Sequence, residues 1–192
     1  MPADIEAFIL IGGSSTRFGR DKAFVEMNGE TLATRAARIV RAAFPDARVR
    51  FVAASDEQFG IEVDALDGEV VHDRHPGYGA WSGLEAALFY SEAKWTLVMA
   101  CDLPNVTSEF LARLAEERST DVDAVIPQQP DGRLQPLCAV YRTAALSGVV
   151  ESVAGAGDRV PALASIADRV RSMMIPADGV LLRNVNSPAD LT

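Results

Sequence analysis

A segment rich in glycine, hydroxyl and cationic residues follows the first apolar run of the chain. Gly12 and Gly13 precede three hydroxyl side chains, and the cations Arg17, Arg20 and Lys22 come next. Glycine lets backbone N–H groups approach a phosphate closely, and each charge-assisted hydrogen bond to an anion contributes about 1.5–3 kcal/mol. This segment therefore predicts a loop that binds nucleotide phosphates, and a turn with a solvated charge cluster is the alternative.

The spacing of this loop differs from that of two common phosphate-binding motifs. Gly19 is followed by Arg20 rather than by Lys and Ser or Thr, so the loop is not a Walker A motif. It also lacks the G-x-G-x-x-G spacing of dinucleotide-binding folds. The hypothesis of phosphate binding therefore rests on the residue types and on their position after the first strand.

An aspartate follows a continuous apolar run of the chain. Residues 95–100 form that run, and Cys101 and Asp102 come directly after it. Mg²⁺ prefers oxygen ligands and is often held by one or two carboxylates together with substrate phosphates. Asp102 is therefore a candidate ligand for Mg²⁺. The alternative is a turn or cap aspartate before Pro104, although Thr107 and Ser108 are better caps for the next helix.

The bulk composition limits the classes of protein to consider. The 192 residues are 48% hydrophobic, which fits one compact domain, and the net charge of −9 argues against nonspecific binding of nucleic acid. Cys101 and Cys138 lie in apolar runs without metal-site spacing and are expected to be buried thiols of a reducing cytoplasm. The acidic start predicts no signal peptide, and no apolar run reaches the roughly 20 residues of a membrane span.

Short apolar runs alternate with helical patterns along the chain. Strands are expected at residues 5–11, 49–53, 69–72, 95–100, 122–126, 137–141 and 170–175; helices are expected from residue 31, from a capping box at Ser82 and Glu85, through Phe110 and Leu114, and over 143–153 and 159–167. This alternation predicts a single-domain α/β fold of three layers, a mostly parallel sheet with helices on both faces. In such sheets ligands bind at the carboxyl ends of strands, which is where the glycine-rich loop and Asp102 lie.

The loop resembles the signature of a known family. Residues 10–22 follow the pattern L-A-G-G-x-S-x-R-M-G-x-D-K of MobA-like molybdenum cofactor guanylyltransferases, with Ile11 for alanine and Phe18 for methionine. Residues 79–83, 101–104, 135–141 and 184–191 resemble the family motifs G-P-L-A-G, C-D-M-P, Q-P-L-x-A-V-Y and N-x-N-T-P-E-D-L. The resemblance covers nearly the whole chain, and its last two motifs point to the molybdenum branch.

The resemblance implies a Rossmann-like nucleotidyltransferase fold and a reaction. GMP would pass from GTP to molybdopterin with release of pyrophosphate, with Mg²⁺ as cofactor and transient contacts with other cofactor-biosynthesis proteins or recipient molybdoenzymes. The N-terminal half would bind the nucleotide and the C-terminal half the acceptor. The implied catalytic residues are Arg17, Lys22 and Asp102; the nucleotide-binding residues are Leu10, Ile11, Gly12, Gly13, Ser14, Lys22, Ser55, Asp73 and Asp102; the acceptor-binding residues are Gly79, Gly83, Arg159, Asn184 and Asn186.

Several alternatives remain open at this stage. Asp73 is equally well explained as a solvated loop residue, and Asn186 as part of a turn before Pro188. Ser55 stands where some family members place an asparagine that helps to read the base. Other candidate functions are a cytidylyltransferase of the same pterin, a sugar-phosphate nucleotidyltransferase and a catalytically silent nucleotide-binding adaptor. The nearby His72 and His75 lack the further ligands of a zinc site.

Overall fold

A computed structural model of the chain describes residues 4–12, 21–54, 66–154 and 161–191. In these ranges, nine strands are found: β1 (Ile5–Leu10), β2 (Glu26–Met27), β3 (Glu30–Thr31), β4 (Val49–Ala53), β5 (Glu69–His72), β6 (Trp95–Ala100), β7 (Ala124–Gln128), β8 (Cys138–Arg142) and β9 (Ser172–Pro176). β2 and β3 form a separate hairpin. The other strands form one sheet of order β5-β4-β1-β6-β8-β7-β9, in which β8 runs antiparallel to both neighbours. The expectation of a mostly parallel sheet is confirmed.

Helices cover both faces of this sheet. They are α1 (Leu32–Ala43), α2 (Ala80–Tyr90), α3 (Ser108–Glu116) and α4 (Thr143–Ala154). Alternate residues of β1 supply the two cores: Ala7 and Ile9 pack with α1 and α3, whereas Phe8 and Leu10 pack with α2 and α4. The three-layer prediction is therefore confirmed. No helix in the described part of the chain is long and apolar enough to cross a membrane.

Threonine caps begin two helices at the expected places. The Thr31 hydroxyl oxygen accepts a hydrogen bond from the Thr34 N–H at 3.1 Å, and Thr107 does the same for the Phe110 N–H at 3.3 Å. Such caps satisfy backbone donors that have no partner inside the helix. The cap at Thr107 leaves Asp102 available for another role.

The predicted capping box at Ser82 and Glu85 is wrong. α2 begins at Ala80, and its N-cap is Gly79, which has a left-handed φ of 58°. Ser82 already lies in the first turn, where its hydroxyl bonds the backbone of residues 75 and 78. The pattern was misleading because both polar side chains serve contacts with the preceding loop rather than with the end of their own helix.

Element ends also differ from the predicted ones. The predicted strands at 122–126, 137–141 and 170–175 are shifted by one or two residues towards the C-terminus, and β1 ends at Leu10. The shift at β7 and β8 follows from their ladder, which closes with the Arg142 N–H donating to the Asp123 carbonyl oxygen at 2.7 Å. In place of the helix predicted over 159–167, the described residues form a 3-10 helix over Leu163–Asp168.

Candidate functional site

Four neighbouring strands end at the same edge of the sheet. β5, β4, β1 and β6 are parallel, so the residues after their carboxyl ends are Asp73, Ala54, Ile11 and Cys101. Adjacent strands lie about 4.8 Å apart, so the ends of β5 and β6 are separated by roughly 14 Å along this edge. Asp73 and Asp102 therefore follow the two outer strands of a row of four parallel strand ends.

Lys22 and Asp102 meet at this edge although 80 residues separate them. The Lys22 Nζ lies 2.5 Å from the Asp102 Oδ2, and 23% and 13% of the two side chains are exposed. Lys22 begins a short 3-10 helix whose first turn is fixed by Asp21, since the Asp21 Oδ1 accepts from the Ala23 N–H at 3.0 Å. The fold thus holds a cation and a carboxylate together where parallel strands end.

A chain of two amides supports the Asp102 carboxylate. The Asn184 Nδ2 donates to the Asp102 Oδ1 at 3.1 Å, and the Gln135 Nε2 donates to the Asn184 Oδ1 at 3.3 Å. The Val185 N–H also donates to the Asp102 carbonyl oxygen at 2.9 Å. Both carboxylate oxygens of Asp102 therefore have a partner, and Asn184 lies beside the predicted metal ligand.

Gly12 is required by a close approach of two backbones. A Cβ on Gly12 would lie 2.9 Å from the Ala54 nitrogen, which any larger residue would have to displace. The N–H groups of Ile11 and Gly12 both donate to the Val52 carbonyl oxygen, at 2.9 and 3.1 Å. The amide of Gly12 is thus engaged within the sheet, and its contact with a nucleotide stays a prediction. Likewise, the side chains of Leu10 and Ile11 are buried.

Asp73 lies at the far end of the same edge. Its N–H donates to the carbonyl oxygen of Ala53 at 3.0 Å, which ties the start of the following loop to β4. Burial raises the pKa of the Asp73 carboxyl to about 6, the nearby charge of Glu85 adds to the rise, and His72 opposes it. Asp73 is therefore a partly buried carboxyl rather than a fully solvated one.

The predicted acceptor residues have different surroundings. Gly79 is exposed, and its left-handed backbone suits glycine. Gly83 is buried, and a Cβ there would lie 3.1 Å from Leu10 Cδ1, so helix packing already explains the glycine. Asn186 is exposed, and its N–H donates to the Asp190 Oδ2 at 3.1 Å in a turn before the C-terminal 3-10 helix. This geometry supports the turn alternative, and acceptor contacts at all three residues stay predictions.

Five predicted site residues lie outside the described residues: Gly13, Ser14, Arg17, Ser55 and Arg159. Two polar residues near the site are not among the site residues predicted from the sequence. Gln135 lies in the Q-P-L-x-A-V-Y motif, which gave a signal but no physical reason, and Glu85 was assigned to a cap. Gln135 contacts a residue 49 positions away, and Glu85 contacts residues 10 and 11 positions away in the preceding loop.

Comparison with known proteins places the chain in a family. A sequence profile of the MobA-like NTP transferase domain matches residues 7–170. The chain belongs to this family. The resemblance stated from the motifs is confirmed.

Relatives of this MobA-like NTP transferase include a protein named "Probable molybdenum cofactor guanylyltransferase" from Bacillus cereus (strain ATCC 10987 / NRS 248). The two are 35% identical over 138 residues, which is 69% of this chain and 66% of the relative. The match thus spans slightly less than two thirds of the relative's length. Similar matches occur with relatives of the same name from Bacillus anthracis, at 33% identity over 135 residues.

Solved structures share the fold of this MobA-like NTP transferase. Molybdopterin-guanine dinucleotide biosynthesis protein A from Archaeoglobus fulgidus superposes with a TM-score of 0.75 at 25% identity, covering 97% of this chain and 94% of that one. The protein Rv0371c from Mycobacterium tuberculosis gives a TM-score of 0.76 at 19% identity over the same shares, which shows the fold alone. The predicted Rossmann-like nucleotidyltransferase fold is confirmed.

One carboxylate of this MobA-like NTP transferase, Asp102, has the surroundings to be tested as a metal ligand. Among the described residues, no group of three His, Cys, Asp or Glu side chains is placed to hold a metal ion. Mg²⁺ needs less from the protein, since it keeps several waters and is completed by substrate phosphates. Asp102 is partly exposed at the ligand-binding edge and has the oxygen donors that such an ion prefers.

Proposed function

We propose that this MobA-like NTP transferase transfers GMP from GTP to molybdopterin and releases pyrophosphate, as a step of molybdenum cofactor biosynthesis. The observation that carries the proposal is the contact of Lys22 with Asp102 at the carboxyl edge of the sheet. A cation and a metal-binding carboxylate side by side suit the transfer of a highly charged phosphoryl group. The names of the relatives supply the choice of nucleotide and acceptor.

The reaction needs no covalent enzyme intermediate. A phosphate oxygen of molybdopterin attacks the α-phosphorus of GTP, a new P–O bond forms, and the bond to the departing pyrophosphate breaks. Catalysis then consists of positioning and of electrostatic stabilisation. Arg17 and Lys22 neutralise the triphosphate, and the glycine-rich loop holds it close.

Asp102 is the residue that would hold Mg²⁺ in this proposal. The bound ion would offset negative charge on the α-phosphate and on pyrophosphate. Before substrate binds, Lys22 compensates the charge of Asp102 at 2.5 Å. When the triphosphate arrives, phosphate oxygens become new partners for the Lys22 ammonium group. The hydrogen bond from Asn184 keeps the Asp102 Oδ1 in one orientation throughout this exchange.

The two substrates would occupy neighbouring parts of this edge. Asp73 and Ser55 would contact the nucleoside, whereas Gly79, Gly83, Arg159, Asn184 and Asn186 would line the acceptor side. The position of Asp73 after β5, three strands away from Asp102, supports this division on the nucleotide side. The contact of Asn184 with Asp102 supports a position next to the reacting phosphate.

The proposed site of action is the cytoplasm. Cys101 and Cys138 are both free and buried, which suits a reducing compartment. Burial raises the pKa of the Cys138 thiol to about 12 and also raises that of the Cys101 thiol, so neither is a reactive thiolate at neutral pH. Transient contacts with other cofactor-biosynthesis proteins or recipient molybdoenzymes would pass the product on.

Pyrophosphate release tests the proposal directly. Purified protein is incubated with molybdopterin, Mg²⁺ and one of GTP, CTP, ATP or UTP, and pyrophosphate is measured over time. Release with GTP that requires molybdopterin is the expected result. Release with CTP alone would identify a cytidylyltransferase, and release only when a sugar phosphate replaces molybdopterin would identify a different acceptor. Binding of nucleotide without release under any of these conditions would indicate a silent adaptor.

A further inference from the structure

Helix α2 carries a buried carboxylate that has no part in the mechanism above. The Glu85 side chain is only 5% exposed, in the middle of the helix. Its Oε1 and Oε2 lie 2.8 and 2.9 Å from the His75 Nδ1, and the Arg74 Nη1 lies 3.4 Å from Oε1. A carboxylate is costly to bury unless it is paired and hydrogen-bonded, and here all of these partners come from one loop.

That loop comprises residues 73–79 and joins β5 to α2. Ser82, one turn before Glu85, holds its backbone: the Ser82 hydroxyl donates to the His75 carbonyl oxygen at 2.6 Å and accepts from the Tyr78 N–H at 3.2 Å. The Arg74 guanidinium lies 3.6 Å from the centre of the Phe89 ring, also on α2. One helix thus holds the loop by its side chains and by its backbone.

The two ends of the 73–79 loop are the residues that matter for substrate. Asp73 is tied to β4 through the Ala53 carbonyl oxygen, and Gly79 turns the chain into α2. Residues 74–77 are exposed to solvent, so the loop has no core of its own to fix its shape. Its contacts with Glu85 and Ser82 therefore decide how Asp73 and Gly79 are presented at the edge.

We infer that Glu85 is a positioning residue for the transfer reaction, because it holds His75 and Arg74 and thereby fixes the 73–79 loop around the bound substrates. This inference rests on the proposed function, since that function gives Asp73 and Gly79 their roles. A buried ion pair is often no more stabilising than apolar residues of similar volume. Loop placement explains a carboxylate at position 85 better than stability does.

A double-mutant cycle tests the inference. The variants are Glu85→Ala, His75→Ala, the double variant and Glu85→Gln, with Glu116→Ala, an exposed glutamate at the end of α3, as control. Each single alanine variant is expected to raise the KM for GTP and for the acceptor on the order of tenfold, with a smaller change in kcat, because displaced groups bind substrate poorly. The KM values of the double variant should be no higher than those of Glu85→Ala, because both substitutions remove the same contact between Glu85 and His75.

The conservative variant and amide exchange separate positioning from general damage. The Glu85→Gln variant keeps an oxygen that accepts from His75. Its KM values should therefore stay close to those of the wild type. Amide hydrogen exchange in a peptide covering residues 73–81 should become faster in Glu85→Ala, while exchange in the strands of the sheet stays unchanged. Wild-type KM values in folded Glu85→Ala, additive effects in the double variant, or unchanged exchange would overturn the inference.

Two outcomes distinguish this inference from the proposed function. If Glu85→Ala does not fold, His75→Ala still tests the contact, because 49% of the His75 side chain is exposed and its removal creates no cavity. An unchanged KM in His75→Ala would then overturn the inference. If the wild-type protein releases no pyrophosphate with any nucleotide, the proposed function fails, and exchange in residues 73–81 alone decides whether Glu85 anchors the loop.

Discussion

The charge of Asp102 has two consequences at the scale of single residues: it pairs with Lys22 and it is the candidate ligand for Mg²⁺. Asp102→Asn keeps the size and shape of the side chain and removes only that charge. We expect turnover to be lost while the far-UV circular dichroism spectrum stays that of the wild type. Pyrophosphate release is measured over a range of Mg²⁺ concentrations, and near-normal release at low Mg²⁺ would contradict the metal assignment.

Lys22 should distinguish a triphosphate from a monophosphate. The Lys22→Ala variant loses an ammonium contact worth about 1.5–3 kcal/mol, so its affinity for GTP should fall at least about tenfold. GMP should bind nearly as before, because it lacks the β- and γ-phosphates. Lys94→Ala is the control, since Lys94 is exposed before β6 at the opposite edge. Affinities are measured by calorimetric titration. Equal losses of affinity for both nucleotides would indicate that Lys22 contacts the α-phosphate, and no loss for either would show that Lys22 does not contact the nucleotide.

Asp73 should make the protein less stable as the pH rises. Its pKa is about 6 in the folded protein against an ordinary value of 3.8, so folding favours the uncharged carboxyl. The resulting loss of stability develops between about pH 4 and pH 6 and is complete above that range. Asp73→Asn should therefore raise the melting temperature, and more at pH 7.5 than at pH 4.5.

Asp123 serves as the matched control with the opposite sign. Hydrogen bonds from Arg171, and further ones from Arg142, lower its pKa to about 2, so the folded state favours the charged carboxylate. The stabilisation is present above about pH 4 and is lost as the pH falls through 2. Asp123→Asn should thus lower the melting temperature at pH 7.5. A lower melting temperature in Asp73→Asn, or a higher one in Asp123→Asn, would contradict the sign given for that residue.

At the scale of the elements, α2 links the ligand-binding edge to the core. Gly83 lets this helix approach β1 closely. A Cβ at position 83 would lie 3.1 Å from Leu10 Cδ1, so a larger side chain would meet Leu10. Gly83→Val should lower the free energy of unfolding by about 1–3 kcal/mol, the usual cost of overpacking, measured by urea denaturation. Gly148→Val in α4 is the control, because a Cβ there meets nothing within 4 Å. A stable Gly83→Val variant with impaired acceptor binding would instead support the acceptor role.

Local sequence patterns predict the bounds of an element well where those bounds depend only on residues within or next to the element. The strands at 49–53, 69–72 and 95–100 follow from their apolar runs, and Thr31 and Thr107 cap helices because the cap is a contact within a few residues. Where the bounds depend on pairing with another strand, as in the pairing of β7 with β8, the observed bounds differ from the predicted ones. Ser82 and Glu85 have the spacing of a capping box, but their side chains contact the preceding loop. The local spacing alone does not distinguish these two arrangements.

The site divides in the same way. The glycine-rich loop and Asp102 are visible from the sequence, since residue type and position after a strand are local properties. The contacts of Asp102 with Lys22 and Asn184 join residues 80 and 82 positions apart, and the contact of Gln135 with Asn184 joins residues 49 apart. Such pairs follow only from the order of strands in the sheet. Base preference depends on still finer geometry around the nucleoside.

At the scale of the whole molecule, a ligand at the sheet edge should stabilise one cooperative unit. The seven-stranded sheet carries both apolar cores and the strand ends at the site, so we expect the cores and the site to unfold together. A ligand that binds only the folded state adds RT ln(1 + [L]/Kd), which is about 2.7 kcal/mol at a hundredfold excess over Kd. Binding is therefore expected to appear as a shift of a single thermal transition.

This linkage tests the preference for GTP without any acceptor. Thermal unfolding is recorded with GTP, CTP, ATP or UTP at one concentration, each with Mg²⁺, and we expect GTP to give the largest shift. The motifs of the molybdenum branch favour guanine, whereas Ser55 stands where the resemblance implies an asparagine in some family members. Lys22→Ala should reduce all four shifts, because the triphosphate is common to them, and should leave their order unchanged. A larger shift with CTP in the wild type would favour the cytidylyltransferase, and equal shifts would show that the free protein recognises the triphosphate and not the base.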